Sequence, residues 1–265
     1  VALMAAAELT HTATLLHDDV LDDAERRRGQ DAARVRWGNS VSVLAGDFLL
    51  TRALEEVACC GLPAAMPHLL TTIRRMIEGE ALQLSLRGSS AANLSTYREI
   101  VDGKTASLFA FCGRVGALAA QAASGGAAPG AESHADALAD FARRLGFAFQ
   151  IVDDVLDIDG EAAALGKAVL TDLREGKLTL PVIIALESRP ELRALLALPS
   201  SDDSLPEHTV ALLCRALAES EAARRARSVA ASEAEEGCAA LRRLPEGPCR
   251  DALWQVAHEV VVRNR

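Results

Sequence analysis

An all-α fold is predicted by three observations. Alanine and leucine dominate the composition, aromatic residues make up only 3% of the chain, and apolar side chains recur at helical spacing with almost no strand-type alternation of Val, Ile and Thr. At 265 residues the chain is long enough to bury a large core, and no linker interrupts it, so a single domain over residues 1–265 is expected.

The elements follow in order. Residues 1–22 read as one helix; it starts at Val1 directly on an apolar helical pattern, so further N-terminal helices are expected to precede it, and targeting signals lie outside the reading. Residues 23–40, with Arg26, Arg27, Arg28, Gly29, Gly38 and Asn39, read as a polar basic loop. Val41 to Cys60 carries Val41, Leu44 and Phe48 at helical spacing, and Gly61-Leu62-Pro63 stops it. Ala64 to Arg87 is amphipathic through Ile73, Met76, Ile77 and Leu84. Leu94 to Ala123 is long and apolar, with Gly113 and Gly116 allowing close approach, and Gly125 to Gly130 is a loop. His134 to Leu156 is a helix, 157–177 a Gly- and Lys-containing loop, and Lys177 to Ser188 a helix with Pro181 near its start. Shorter amphipathic helices fill the chain beyond Ser200.

Composition also excludes functions. A net charge of -9 with no basic stripe argues against nucleic-acid binding. Cys59, Cys60, Cys112, Cys214, Cys238 and Cys249 form no Cys-x-x-Cys pair, which predicts reduced, buried thiols in a cytoplasmic protein. Ser107 to Ala123 carries Arg114 and falls short of the roughly 20 apolar residues of a membrane span, so no stable insertion is expected.

The chemistry sits in a repeat. Asp-Asp-Val-Leu-Asp occurs at Asp18 to Asp22 and again at Asp153 to Asp157. Residues four apart stack on one helix face, so Asp18 with Asp22, and Asp153 with Asp157, form two carboxylate ladders. Each is a like-charge pair disfavoured by roughly 0.2–0.5 kcal/mol, which a bound cation reverses. Either block alone is compatible with a solvated acidic turn or with dipole complementation at a helix N-terminus. Both, however, adjoin apolar residues that must be packed (Leu15, Leu16, Phe149, Ile151), and acids beside a packed face tend to need a partner. A few oxygen ligands suit Mg²⁺, which keeps waters and is completed by phosphate. If the two helices are neighbours, the ladders face each other across a pocket mouth.

Of the 28 basic residues only Lys104, Lys167 and Lys177 are lysine. A compact ammonium acts as a point charge on phosphate where a planar guanidinium does not fit. Two of the three follow the second acidic block, and the other lies in Gly103-Lys104-Thr105. Ladders, lysines and Arg27-Arg28 together make a site for Mg²⁺ and a diphosphate, neutralising pyrophosphate as it leaves.

With these residues the chain resembles the trans-prenyl diphosphate synthases, most closely the bacterial long-chain, octaprenyl type. The resemblance covers nearly the whole chain: the segment from His11 to Asp19, Arg27-Arg28-Gly29, Leu44-Ala45-Gly46-Asp47, Gly103-Lys104-Thr105, Phe149 to Asp154, Gly166-Lys167, Asp172 to Lys177, and Leu244-Pro245. It implies a helical bundle around a deep central cavity, a homodimer, and condensation of isopentenyl diphosphate with an allylic diphosphate, for quinone side chains. It further implies Mg²⁺, three per site, on Asp18, Asp22 and Asp153, with Asp19, Asp154 and Asp157 supporting. Arg27, Lys104, Thr105, Gln150, Lys167 and Lys177 would contact the allylic diphosphate. His11 and Arg28 would contact that of isopentenyl diphosphate; His11 lies two turns before Asp18 on roughly the same face, although a histidine bonded to a helix neighbour satisfies the same spacing.

In the family the growing tail passes the residue five positions before the first block, here Ala13, roughly 7.5 Å along the axis. Alanine does not floor such a tunnel, so a product beyond C20 is expected, with Thr14 and the Val41 to Cys60 helix as other candidates for the floor. The sequence departs from the pattern at Ala168 and Leu170, at Arg26 and Gln30-Asp31, and in lacking an upstream Gly-Gly-Lys-Arg block. The alternatives are a C15–C20 synthase, a non-catalytic subunit of a heteromeric synthase, a terpene cyclase, disfavoured by the intact second block, and a di-iron bundle, for which Glu8-x-x-His11 is only half of the required pair.

Overall fold

The computed structural model describes every residue except 88, 90–92, 126–130, 160–171, 173–175, 197–206 and 264–265. The described residues are almost entirely helical, as expected: α1 (Ala2–Leu21), α2 (Ala33–Trp37), α3 (Asn39–Cys59), α4 (Ala65–Leu86), α5 (Leu94–Val101), α6 (Ser107–Ala123), α7 (Ala131–Asp159), α8 (Leu180–Ser188), α9 (Arg193–Leu196), α10 (Glu207–Glu219), α11 (Ala222–Leu241) and α12 (Pro248–Val262). They fall into two compact units. One comprises Val1–Arg74 and Phe111–Asp136, the other Arg75–Ala110 and Ala137–Arg265.

In the first unit α1 packs on α3 through small residues. Ala6, Thr10 and Ala13 of α1 and Ser42, Gly46, Ala53 and Val57 of α3 are buried. His17, one turn beyond Ala13, lies against Gly46: a Cβ there would stand 2.3 Å from the imidazole Nε2. Any larger residue there would require His17 to move, so Gly46 of the Leu44-Ala45-Gly46-Asp47 motif is what lets the imidazole lie against α3. The same Nε2 lies 3.2 Å from both the Val43 carbonyl oxygen and Asp47 Oδ1.

The segment expected as a basic loop is instead built. Arg26–Arg27 and Gln30–Asp31 pair as antiparallel strands β1 and β2. The turn between them has positive φ at Arg28 (49°) and Gly29 (79°), the backbone of a two-residue hairpin turn whose twist matches its strands. Arg34 of α2 staples the segment, its Nη2 donating to Asp23 Oδ1 at 2.7 Å and its Nη1 to the Asp23 carbonyl at 2.8 Å. Two-residue strands carry no alternation, so no periodicity announced them.

The second unit holds the main core. Leu180 to Leu186 are all buried, as a helix apolar on every side must be, and α8 packs against α10 and α11. Pro181 stands in its first turn, as expected, but α8 begins at Leu180 because Thr179 has extended backbone. α5 starts at an Asn93 capping box, where Asn93 Oδ1 accepts from the Ser95 and Thr96 amides and Thr96 Oγ1 from the Asn93 amide. α7 runs past Leu156, so the second acidic block lies inside its helix, whereas Asp22 of the first caps α1.

Two expectations are corrected. Helix runs without a break over the 30 residues Leu94–Ala123 and contains an 18-residue window of mean hydropathy 1.3, so by length and composition alone it is long and apolar enough to cross a membrane; Ser107–Ala123 taken alone understated its length, because the chain from Leu94 continues the same helix. That helix also carries Arg98, Glu99, Asp102, Lys104 and Arg114. The cysteines are free, but only Cys238 is buried; Cys59, Cys112, Cys214 and Cys249 are exposed and Cys60 half-buried, since they lie on helix faces turned from the core.

Candidate active site

The first acidic block ends α1. Asp18 and Asp22 are half-buried on one face, while Asp19, a third of a turn round, is 2% exposed. Arg27 Nε donates to Asp19 Oδ1 at 2.7 Å, so the Arg27 expected at a diphosphate also anchors the β1–β2 hairpin to α1. His11 stands on the accessible face of α1. Its pKa is lowered, first by desolvation against its surroundings, with Glu8 opposing and the charges of Arg28 and then Arg27 adding to the fall. His11, Arg27 and Arg28 therefore share one electrostatic neighbourhood with a neutral imidazole at pH 7, the grouping expected for an anionic ligand. Ala13 is fully buried, while Thr14 is half-buried and donates its hydroxyl to the His11 carbonyl at 2.8 Å.

In the second unit Gly103-Lys104-Thr105 occupies a five-residue π-helical turn, Asp102–Ala106, between α5 and α6; such turns collect at functional sites. Glycines permit it. A Cβ at Gly79 of α4 would stand 2.8 Å from the Lys104 nitrogen, and one at Gly103 2.7 Å from the Arg75 carbonyl oxygen. Lys104 pairs with Glu80 and donates to Gln83 Oε1 at 3.0 Å.

A cavity of about 140 Å³ opens beside this turn, lined by Lys104, Thr105, Gln150, Asp154, Asp172 and Lys177 among others. Four of the expected site residues, Lys104, Thr105, Gln150 and Lys177, thus line one cavity, with Asp154 of the second acidic block. The Lys177 amide donates to the Asp172 carbonyl at 2.8 Å. Lys167, with Ala168 and Leu170, lies outside the described residues.

Asp154 is buried at 3% exposure. Tyr97 donates its hydroxyl to Asp154 Oδ2 at 2.7 Å, Gln150 Nε2 donates to Oδ1 at 3.0 Å, and the Leu180 amide lies 3.4 Å from Oδ2. Burial raises the Asp154 pKa to about 7 against the lowering effect of the Tyr97 and Gln150 hydrogen bonds, with Asp172 adding to the rise. Burial and the Asp154 charge likewise push Tyr97 well above its usual range, so its hydroxyl keeps its proton and donates. Asp19 and Asp154, expected to support the metal, have carboxylates engaged inside the protein. The helix makes this unavoidable: with the first and fifth residues of the block turned outward, the second turns in.

Asp153 is turned outward, and there Arg263 pairs with it. The same guanidinium donates to the Phe149 carbonyl at 3.0 Å and lies 4.0 Å from the centre of the Phe149 ring. Asp157 is half-buried. Sequence reading assigned no role to Tyr97 or Arg263. The only signals were that Tyr97 is the chain's single tyrosine and that Arg263 follows an apolar helix.

Among the described residues no group of three or more acidic, His or Cys side chains converges into a ready metal cage. The carboxylates that would reach a metal are those of Asp18, Asp22, Asp153 and Asp157, which are half-buried or exposed. Hard oxygen donors, one or two at a time, fit Mg²⁺ or Ca²⁺ completed by phosphate oxygens and water.

The sequence profile of the polyprenyl synthetase family matches residues 1–216. The chain is 35% identical to the octaprenyl diphosphate synthase of Escherichia coli over 100% of its own length and 80% of that protein's. It is 36% identical to solanesyl diphosphate synthase 3 of Arabidopsis thaliana over 97% of the chain and 60% of that longer protein, so it spans less than two thirds of that relative. A crystal structure of a polyprenyl synthase from Caulobacter crescentus, complexed with calcium and isoprenyl diphosphate, superposes with a TM-score of 0.87 at 37% identity, covering 100% of this chain and 78% of that one. The acidic repeat, the π-turn and the lysine-lined cavity occur on the helical architecture of these proteins, and the chain belongs to the polyprenyl synthetase family, whose named relatives are prenyltransferases.

Proposed function

We propose that the protein is a Mg²⁺-dependent trans-prenyl diphosphate synthase that joins isopentenyl diphosphate to an allylic diphosphate and makes a medium- to long-chain product for quinone side chains. The observation that supports it most is the single cavity shared by Lys104, Thr105, Gln150 and Lys177 beside the second acidic block, in a chain whose relatives are named for this reaction.

In this reading Lys104, Lys177 and Arg27 hold the allylic diphosphate and balance the charge that grows as its carbon–oxygen bond breaks. His11 and Arg28 bind the diphosphate of isopentenyl diphosphate and orient its double bond, which attacks the allylic carbon. One proton then leaves, with the departing pyrophosphate as its acceptor. Magnesium on Asp18, Asp22 and Asp153 would supply the Lewis-acid pull on the leaving group. The reading requires both acidic blocks to address one diphosphate. It also includes a homodimer, supported by the exposed Val41, Leu44 and Phe48 of α3, which sedimentation velocity tests.

The experiment is incubation with Mg²⁺, farnesyl diphosphate and labelled isopentenyl diphosphate, followed by sizing of the dephosphorylated products. A ladder ending well above C20 supports the proposal. A stop at C15–C20 keeps the reaction and refutes the length, and no incorporation points to a partner-dependent subunit. Ala13→Phe should shorten the product; because Ala13 is fully buried, the larger ring also costs about 1–3 kcal/mol of stability.

A further inference from the structure

Asp154 joins three parts of the second unit that the sequence keeps apart. Its Oδ2 takes the Tyr97 hydroxyl from α5 at 2.7 Å and faces the Leu180 amide, which opens α8 just after Lys177, at 3.4 Å. Its Oδ1 takes Gln150 Nε2 at 3.0 Å, and Gln150 Oε1 takes the Thr105 hydroxyl of the Lys104 turn at 2.9 Å. We infer that Tyr97 is a positioning residue for prenyl transfer: by holding Asp154 it fixes the outward Asp153 against the segments that carry Lys104 and Lys177. This rests on the proposed function.

The geometry makes Tyr97 the strong member of the set. The Leu180 bond is at the limit of hydrogen bonding, so without the phenol hydroxyl Oδ2 keeps only a weak donor. Tyr97 is 6% exposed, and its hydroxyl, at 2.7 Å, is the closer of the two protein donors that Oδ2 receives. Asp154 lies one residue, about 100° of helix, from Asp153, so a rotation that lets Asp154 seek another donor swings Asp153 with it. Displacements of this kind are felt as large changes in rate, because a misplacement of about 1 Å can cost 10²-fold.

A network of this form has a rescue that a metal ligand lacks. In Asp154→Asn, the amide oxygen still accepts from Tyr97 and Leu180, its NH2 donates to Gln150 Oε1 after the Gln150 amide turns over, and Gln150 Nε2 donates to Thr105. The frame survives with one limb reversed in polarity, whereas Asp154→Ala abolishes it.

The test compares wild type, Tyr97→Phe, Asp154→Asn and Asp154→Ala by thermal melting, by calorimetric binding of inorganic pyrophosphate in Mg²⁺, and by steady-state condensation. Tyr97→Phe should melt within about 4 °C of wild type. It should bind pyrophosphate about tenfold more weakly, raise KM for the allylic diphosphate and lower kcat about tenfold each, and leave KM for isopentenyl diphosphate unchanged. Asp154→Asn should stay within about threefold of wild type and Asp154→Ala fall about 100-fold. Wild-type pyrophosphate binding and kinetics in Tyr97→Phe, a change in melting alone, or an Asn variant as impaired as the Ala variant overturns the inference. A wild type that binds pyrophosphate with Mg²⁺ but does not condense overturns the proposed function instead, and the pyrophosphate arm still decides on Tyr97. A wild type that does not bind pyrophosphate overturns both.

Discussion

The two acidic blocks are the same pentapeptide, the first closing α1 with Asp22 as its cap and the second lying inside α7, yet their inner residues are answered differently. Asp19 is met by a cation, Arg27, from the neighbouring hairpin. Among the described residues Asp154 is met by neutral donors, Tyr97, Gln150 and the Leu180 amide, and burial carries its pKa up to about 7. Of the outer residues, Asp153 carries an arginine, Arg263, from the far end of the chain. Helix geometry decides which carboxylates turn inward; the charge of whatever meets them decides what each costs to bury.

The largest effect should come where the blocks are alike. Asp18→Ala and Asp153→Ala each remove an outward carboxylate, and kcat should fall on the order of 10²–10³-fold in either case, measured as isopentenyl incorporation at saturating Mg²⁺. A much smaller loss at one block would show that the two do not share the work.

The inner residues should then separate. Asp19→Asn strips Arg27 of its counter-charge and should cost about 1–3 kcal/mol in urea denaturation, part of which Asp19→Asn/Arg27→Gln should recover. Asp154→Asn removes no ion pair and should cost less.

The same contrast appears with pH. Native Asp154 keeps its proton up to about 7, while the unfolded carboxyl releases it near 3.8. The native state therefore binds more protons through that window, and the metal-free protein loses stability as pH rises from about 4 to about 7. Melting temperature against pH should show that decline in wild type and a shallower one in Asp154→Asn.

The smallest effect concerns Arg263. It occupies Asp153 without a metal, so Arg263→Ala should lower the half-saturating Mg²⁺ concentration a few-fold, on the scale of 1 kcal/mol or less expected of a partly exposed pair. Terbium luminescence titration reads this without turnover, and an unchanged midpoint would show that the pair does not compete with metal.

Much of this was legible from the residues alone. Stop signals such as Gly61-Leu62-Pro63, the Pro181 helix start and the four-residue spacing of the carboxylates are local, and they foretold the helices and the outward faces of Asp18, Asp22, Asp153 and Asp157. The rarity of lysine pointed to Lys104 and Lys177, which do line one cavity. The hairpin at 26–31 was not legible, because strands of two residues carry no period and their turn depends on positive φ at Arg28 and Gly29.

The amino-acid sequence by itself determined the helical class, the element order and the duplicated carboxylates, because propensity, capping and periodicity act over a few residues. Only the tertiary structure decided the partners: Tyr97 for Asp154, 57 residues apart, and Arg263 for Asp153, 110 apart. Two identical pentapeptides acquire different chemistry because burial and hydrogen-bond donors belong to the packed environment, which residues distant in the chain supply.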